Sequence, residues 1–183
     1  MPKIILGLVS KLAAGKSTIC RYLEEKHNAQ TFAFSGPLRD VLDRFYLPQT
    51  RQNMQNVSQG LREALGQEIL ARVLARDAEN SLAPVVCVDG VRRPKDIEFL
   101  KQLPNFYLIK VTAEQKLRHQ RIISRGQNPG EDKWSFEEFK QREAAEAESL
   151  IDEVAKEARF TITNEGTLEE LYSQVEDILK EVE

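Results

Sequence analysis

Long apolar runs, paired cysteines and low-complexity tracts are all missing from this 183-residue chain, and each absence removes a class of protein. The longest apolar stretches, Ile4–Val9 and Pro84–Val88, are only strand-length, far below the ~20 residues a membrane helix needs. Met-Pro-Lys leads directly into a strand-like segment. That start lacks the layout of a secretory signal, so a cytoplasmic protein is expected. Cys20 and Cys87 are the only cysteines. They form neither a metal-ligand pair nor a disulfide framework, and their apolar neighbours mark both as reduced core residues. With 9 Gly and 7 Pro, the chain is neither collagen-like nor Pro-rich, and no internal repeat appears. What remains is 41% hydrophobic and 30% charged, enough for a core and a solvated surface. The length suits a single domain, 1–183.

Charge is unevenly spread. The whole chain carries −3, with 26 basic and 29 acidic residues, which argues against a general nucleic-acid partner. Residues 1–91 are nearly balanced at +2, residues 92–125 carry +6, and residues 131–183 carry −11. A basic middle within an acidic chain suggests a local anion site rather than a polyanion track. The acidic tail reads as solvated helix faces.

Strand and helix signals alternate throughout. Lys3–Val9 is a continuous apolar run, as in a strand buried on both faces. A helix follows from Lys16 to about His27, with Ile19, Cys20 and Leu23 on one side. Thr31–Phe34 reads as strand two. Leu38, Val41, Leu42 and Phe45 then give a helical core stripe. A loop is expected around Leu47–Asn53. Val57, Leu61, Leu65, Ile69, Val73 and Leu74 mark one long amphipathic helix ending before Pro84. Val85–Val88 is strand three, closed by Asp89-Gly90, and a short helix follows Pro94. Phe106–Val111 is strand four, and Phe160–Thr163 strand five. Capping boxes are expected at Thr112, at Ser135 with Glu138, and at Thr167 with Glu170. They open helices running to Arg125, to about Ala158 and to the end of the chain, the last with the stripe Leu168, Leu171, Tyr172, Val175, Ile178, Leu179 and Val182. Parallel neighbours need crossover connections. Five apolar strands alternating with helices therefore imply an α/β, three-layer sandwich with a five-stranded parallel sheet.

Strand one leads into Ser10-Lys-Leu-Ala13-Ala14-Gly15-Lys16-Ser17-Thr18. From Ser10 this is S-x-x-x-x-G-K-S, the Walker A pattern with its first Gly replaced. A compact strand-to-helix loop turns backbone N–H groups inward, and the helix N-terminus adds partial positive charge. Lys16 would reach the β- and γ-phosphates of a nucleotide, and the Ser17 hydroxyl would ligate Mg²⁺. If position 10 required a positive φ, serine there would be strained by about 1–2 kcal/mol. Asp89 ends an apolar strand as a Walker B carboxylate does, placed to hold Mg²⁺ through water; an Asp-Gly turn is the plainer reading. Ser35-Gly-Pro-Leu-Arg39 and Asp89-Gly90-Val-Arg92-Arg93 lie at carboxyl ends of strands two and three, where open α/β sheets bind ligands. Arg39, Arg92 and Arg93 could together clamp a second phosphate.

In these motifs the chain resembles the P-loop nucleoside monophosphate kinases of the adenylate kinase type, and within them the deoxynucleoside monophosphate kinases. S-G-P-L-R is similar to that family's T-G-D-L-L-R element, and D-G-V-R-R to its D-G-F-P-R. The resemblance implies that Ser35, Arg39, Asp89 and Gly90 contact the acceptor and that Arg93 or Arg92 holds its phosphate. Arg121-Ile-Ile-Ser-Arg125 resembles the R-x-x-x-R entering the family's lid, where one arginine stacks on the donor base and the other meets phosphates. Arg142 falls where the lid's returning arginine would sit. Asn164-Glu-Gly166 resembles the donor-adenine loop, also shared with dephospho-CoA kinases. The implied protein is a monomeric P-loop nucleotide kinase with ATP and Mg²⁺ as cofactors. It would have an acceptor-binding helical region at about 35–80 and a short, cysteine-free lid at about 126–134. Ile97 stands where the family's base-reading glutamine is expected.

The expected reaction is transfer of the γ-phosphoryl of MgATP to a nucleoside or deoxynucleoside monophosphate, with Lys16, Arg93, Arg125 and Arg142 acting on the transferred group. An acceptor phosphate needs no general base, since its second pKa of ~6 leaves it mostly ionised, whereas a hydroxyl acceptor usually needs a carboxylate. Strand two carries no acid before Asp40, which favours the monophosphate. Asp40 or Asp43 could still serve a hydroxyl acceptor, as in dephospho-CoA kinase. Ser10 in place of glycine leaves a non-turnover nucleotide sensor as a further alternative. Gln127–Lys133 and Ser35–Asn80 are the segments expected to move on closure.

Overall fold

The computed structural model describes residues 3–125, 131–145 and 148–183. Five strands, β1 (Ile4–Val9), β2 (Gln30–Ala33), β3 (Val85–Asp89), β4 (Phe106–Thr112) and β5 (Phe160–Thr163), form one sheet in the order β2-β3-β1-β4-β5. Every pairing is parallel, with Leu6 beside Cys87 on one flank and Tyr107 on the other. All six residues of β1 are buried, as a central strand covered on both faces requires. The expected architecture, an α/β three-layer sandwich on a five-stranded parallel sheet, is the one present.

Strand alternation divides the core in two. Leu6, Leu8, Cys87, Ile109 and Val111 face α1 (Lys16–His27) and a C-terminal helix, Leu168–Val182. Ile5, Val9, Val86, Val88 and Leu108 face the other layer. That layer includes α4 (Ile69–Asn80), α5 (Pro94–Leu100) and α8 (Glu148–Ala155). The remaining helices are α2 (Gly36–Arg44), α3 (Arg51–Leu65), α6 (Gln115–Arg125) and α7 (Phe136–Ala145), with the C-terminal helix as α9. Cys20 and Cys87 are both buried free thiols. The hydrogen bond between them, reinforced by burial, pushes the Cys87 pKa far upward. Among the described residues no helix is long and apolar enough to cross a membrane.

Local chemistry explains where the elements stop. The capping boxes at Ser135 and Thr167 form: Ser135 N–H donates to Glu138 Oε2 at 2.7 Å, and Thr167 N–H to Glu170 Oε2 at 2.9 Å. Four expectations are corrected. The single helix through Val57–Leu74 is two, because Gly66 takes φ +106°, outside the helical range, and closes α3 by donating its N–H to Arg62 O. The loop at Leu47–Asn53 is shorter, since the Thr50 side chain accepts from Asn53 N–H and starts α3 at Arg51. Thr112 caps no helix: it pairs with Thr163 as the last residue of β4, and α6 begins at Gln115. Leu168, placed in the core stripe of the last helix, is exposed in its first turn. The helix expected from Ser135 to about Ala158 is described as α7 and α8, with residues 146–147 outside the described residues. All five strands point their carboxyl ends the same way, so Ser10, Ser35, Gly90, Ala113 and Asn164 follow them along one edge.

Candidate functional site

At that edge the loop between β1 and α1 wraps around Lys16. Ser10 does not adopt a left-handed φ; Ala13 (59°) and Gly15 (110°) do. The serine that replaces glycine is therefore unstrained in the way considered above, and its hydroxyl has a definite task. Ser10 Oγ accepts from Lys16 Nζ at 2.8 Å and donates to Lys11 O at 2.9 Å. Gly15 is required on two counts. Its φ disfavours any L side chain, and a Cβ there would stand 2.0 Å from Asn164 Nδ2.

Two long-range bonds hold the loop backbone. Asn164, buried after β5, donates from Nδ2 to Ala14 O at 2.9 Å. Arg118, buried in α6, donates from Nη1 to Leu12 O at 3.0 Å and is anchored from behind by the buried carboxylate of Glu143. Arg121 donates from Nη2 to the Asn164 carbonyl at 2.9 Å, while its Nη1 is buried with no hydrogen-bond partner. Gly166 lies against the Glu170 carboxylate of the α9 capping box. Sequence reasoning grouped Asn164, Gly166 and Arg121 around a donor base. The structure does bring Asn164 and Arg121 together, and it also shows Asn164 bracing the loop, a role no local pattern signals.

Across the loop stands Asp89. Its Oδ1 is 3.9 Å from Lys16 Nζ and is buried without a hydrogen bond. The Ser17 hydroxyl nearby in the chain is exposed at the start of α1. An orphaned carboxylate oxygen and a free hydroxyl are hard oxygen donors of the kind a Mg²⁺ ion takes. Desolvation lowers the Lys16 pKa most; Asp89 opposes that, and Arg92 and Arg125 reinforce it. Lys16 thus feels two further cationic side chains, and Asp89 is the acid that faces it. Arg92 is solvent-accessible, yet crowded enough that desolvation lowers its pKa, with Asp89 opposing and Arg51 adding to the effect. Arg51, the first residue of α3, was not singled out from the sequence. It sits in a polar stretch where nothing distinguishes it from a surface residue.

Arg125 and the remaining arginines have partners of their own. Arg93 Nη1 donates to Gln67 Oε1 at 3.5 Å, beside the buried Arg62–Asp96 pair. Arg39 is exposed on α2, donating to Gln49, which in turn donates to Asp43. Arg125 pairs with the buried Glu131 at 3.5 Å. Arg142 is exposed and stacks over the Trp134 ring at 4.5 Å. Of the residues assigned to the lid, 126–130 lie outside the described residues, and Glu131–Lys133 form a 3₁₀ turn. Lys16, Asp89 and Arg92 are therefore gathered beside the loop, with Arg125 close enough to influence Lys16 but paired to Glu131, whereas Arg39, Arg93 and Arg142 have other partners.

The fold is that of the P-loop kinases. TT1252 from Thermus thermophilus superposes with a TM-score of 0.65 at 19% identity over 100% of both chains. Shikimate kinase from Bacteroides thetaiotaomicron gives 0.65 at 14% identity over 98% of each. A UPF0200 protein of Methanoculleus marisnigri is 27% identical over 176 residues, spanning 96% of this chain and 94% of its own. The AAA domain family model matches residues 13–140, from within the phosphate loop into the first half of α7. With well over half of its length so matched, the chain belongs to the AAA domain family.

Proposed function

We propose that this protein is an ATP-dependent kinase that phosphorylates a nucleoside or deoxynucleoside monophosphate. The observation that carries the reading is the cleft in which Lys16, held by Ser10, faces the orphaned Asp89 oxygen with Arg92 and Arg125 close by. Phosphoryl transfer asks chiefly for positioning and charge neutralisation. The loop backbone and Lys16 would hold the donor's β- and γ-phosphates, with Arg121 and the Asn164–Gly166 turn toward its base. Arg92, with Arg51 beside it, would hold the acceptor phosphate, and Arg39 and Arg93 would join it from the helical region at about 35–80. An acceptor phosphate oxygen attacks the γ-phosphorus, the β–γ bridging bond breaks, and ADP leaves. Bound Mg²⁺ would neutralise developing charge, held by Ser17 and, through water, Asp89. Arg125 would release Glu131 to meet the transferred group, and Arg142 would join it as the lid closes.

A hydroxyl acceptor, as in the shikimate kinase that shares the fold, is the second reading. Asp40 and Asp43 are both exposed on α2, and Asp43 is bonded to Gln49, so neither is aimed as a base for it. ADP release measured across the (deoxy)nucleoside monophosphates, dephospho-CoA and shikimate, with Lys16→Ala as control, separates the possibilities. Turnover is expected with a monophosphate. Turnover only with a hydroxyl acceptor sinks this reading, and tight ATP binding without any turnover supports a sensor.

A further inference from the structure

Behind the first limb of the phosphate loop, on the sheet face covered by α8, lies a cavity of about 270 Å³. Ser10 and Lys11 bound it from the loop, Lys110 and Thr112 from the end of β4, and Ile151 and Asp152 from α8. Strand alternation explains Lys110. It shares a face with Leu108, which belongs to the core beneath α8, while Ile109 and Val111 face the opposite layer. A half-buried lysine thus stands in the central part of a sheet, one step from the core. Among the described residues it has no hydrogen bond and no ion pair.

The neighbouring charges are already matched. Lys11 pairs with Asp152 at 3.2 Å, and Arg118 is neutralised by Glu143. Lys110 is the cation left over, and a half-buried ammonium favours an anionic partner. We propose that this cavity binds a small oxyanion, a phosphate or carboxylate group on a short carbon skeleton, gripped by Lys110 and the Thr112 hydroxyl. Ile151 gives it an apolar wall. The volume is just below the ~300–1,000 Å³ of drug-sized sites, which suits a compact metabolite. Ser10 connects the two sites, since it lines this cavity and also accepts from Lys16. The inference stands apart from the kinase reading.

The test is an amide-resolved NMR titration of the full chain with inorganic phosphate and, separately, acetate, each repeated with saturating MgADP. The Lys110, Thr112 and Asp152 amides are expected to shift saturably and to keep doing so when MgADP is present. Response to only one of the two anions supports the site and assigns its ligand class. Lys110→Met is expected to weaken the response about tenfold, as loss of one charge-assisted hydrogen bond does, with ADP affinity changed less than about twofold. Asp152→Asn removes a carboxylate from the cavity wall and is expected to tighten phosphate binding by about two- to fivefold, a readout that survives if Lys110→Met misfolds. Unmoved amides, a response abolished by MgADP, full phosphate binding by a folded Lys110→Met, or unchanged or weaker binding by Asp152→Asn overturns the proposal. If MgADP does not bind while the Lys110 amide still responds, the nucleotide reading fails and this one stands.

Discussion

The two sides of the cleft are built differently. The phosphate loop is fixed at two points by distant parts of the chain, Leu12 O by Arg118 and Ala14 O by Asn164, and at a third from within, Lys16 by Ser10. On the proposed acceptor side, Arg39 and Arg93 make their side-chain hydrogen bonds at the exposed surface. Arg39 and its partners Gln49 and Asp43 are exposed, and Phe45, Tyr46 and Leu47 at the end of α2 stand in solvent. Arg93 makes one long bond to Gln67. A site whose donors are already aimed has little ordering left to do on binding, whereas one built on exposed arginines must be organised by its ligand.

The sharpest way to break that comparison is to remove one residue from each side. Lys16→Ala is expected to cost about 10³-fold or more in turnover and to weaken ADP binding, read by calorimetry. Arg92→Ala is expected to leave ADP affinity within about twofold while lowering kcat/KM for the acceptor about 10²-fold, the loss of a guanidinium–phosphate contact. Arg39→Ala, starting from a solvent-exposed position, is expected to cost about tenfold or less. Equal effects of Arg92→Ala on both substrates would erase the distinction.

Bracing of the loop can be tested separately. Gly15→Ala places a methyl 2.0 Å from Asn164 Nδ2 at a left-handed φ, so a loss of about 1–2 kcal/mol from the backbone alone is expected, with the clash in addition. Asn164→Ala leaves the Ala14 carbonyl without its side-chain donor, at about 1–3 kcal/mol. In the double variant the clash is gone, so the two losses should add to less than their sum in urea unfolding. Full additivity would mean that Asn164 does not press on the loop.

Much of this was legible in the sequence, and the remainder fails for identifiable reasons. Strand and cap signals are local: the apolar run of β1 and the Ser135 and Thr167 boxes depend on residues within a few positions of one another. The break at Gly66 was masked because the apolar stripe continues in phase from Leu65 to Ile69 on either side of it. Asn164 and Lys110 were opaque for another reason. What each does depends on a partner or a cavity more than forty positions away in the chain for at least one contact, as with Asn164 and Ala14. Arg92 could be separated from Arg93 only by seeing that Arg92 comes within electrostatic reach of Lys16 and Asp89 while Arg93 donates to Gln67.

The smallest expected effect concerns the far end of α1, the helix that carries Lys16. There Tyr22 stacks on Tyr172 of α9 with ring centroids 4.0 Å apart, and Glu176 accepts from Tyr22 Oη at 2.6 Å and contacts His27 Nε2 at 2.7 Å. The Tyr22 hydroxyl, then His27, holds the Glu176 pKa below its ordinary 4.5. The same hydrogen bond pushes Tyr22 up to about 12. Because folded Glu176 binds fewer protons than the unfolded chain, its stabilisation is complete above about 4.5 and lost as pH falls through the lowered folded value. Tyr22 works in the opposite sense: its stabilisation is complete below the unfolded value near 10 and lost as pH rises toward about 12. The cluster is partly solvated, so Glu176→Gln is expected to cost under about 1 kcal/mol at neutral pH and to flatten the acid limb of a thermal-midpoint profile. ADP affinity should not change, because the loop is braced from Asn164 and Arg118 rather than from this end of the helix. A parallel fall in ADP affinity would show that the pre-formed side of the cleft depends on the whole α1–α9 seam.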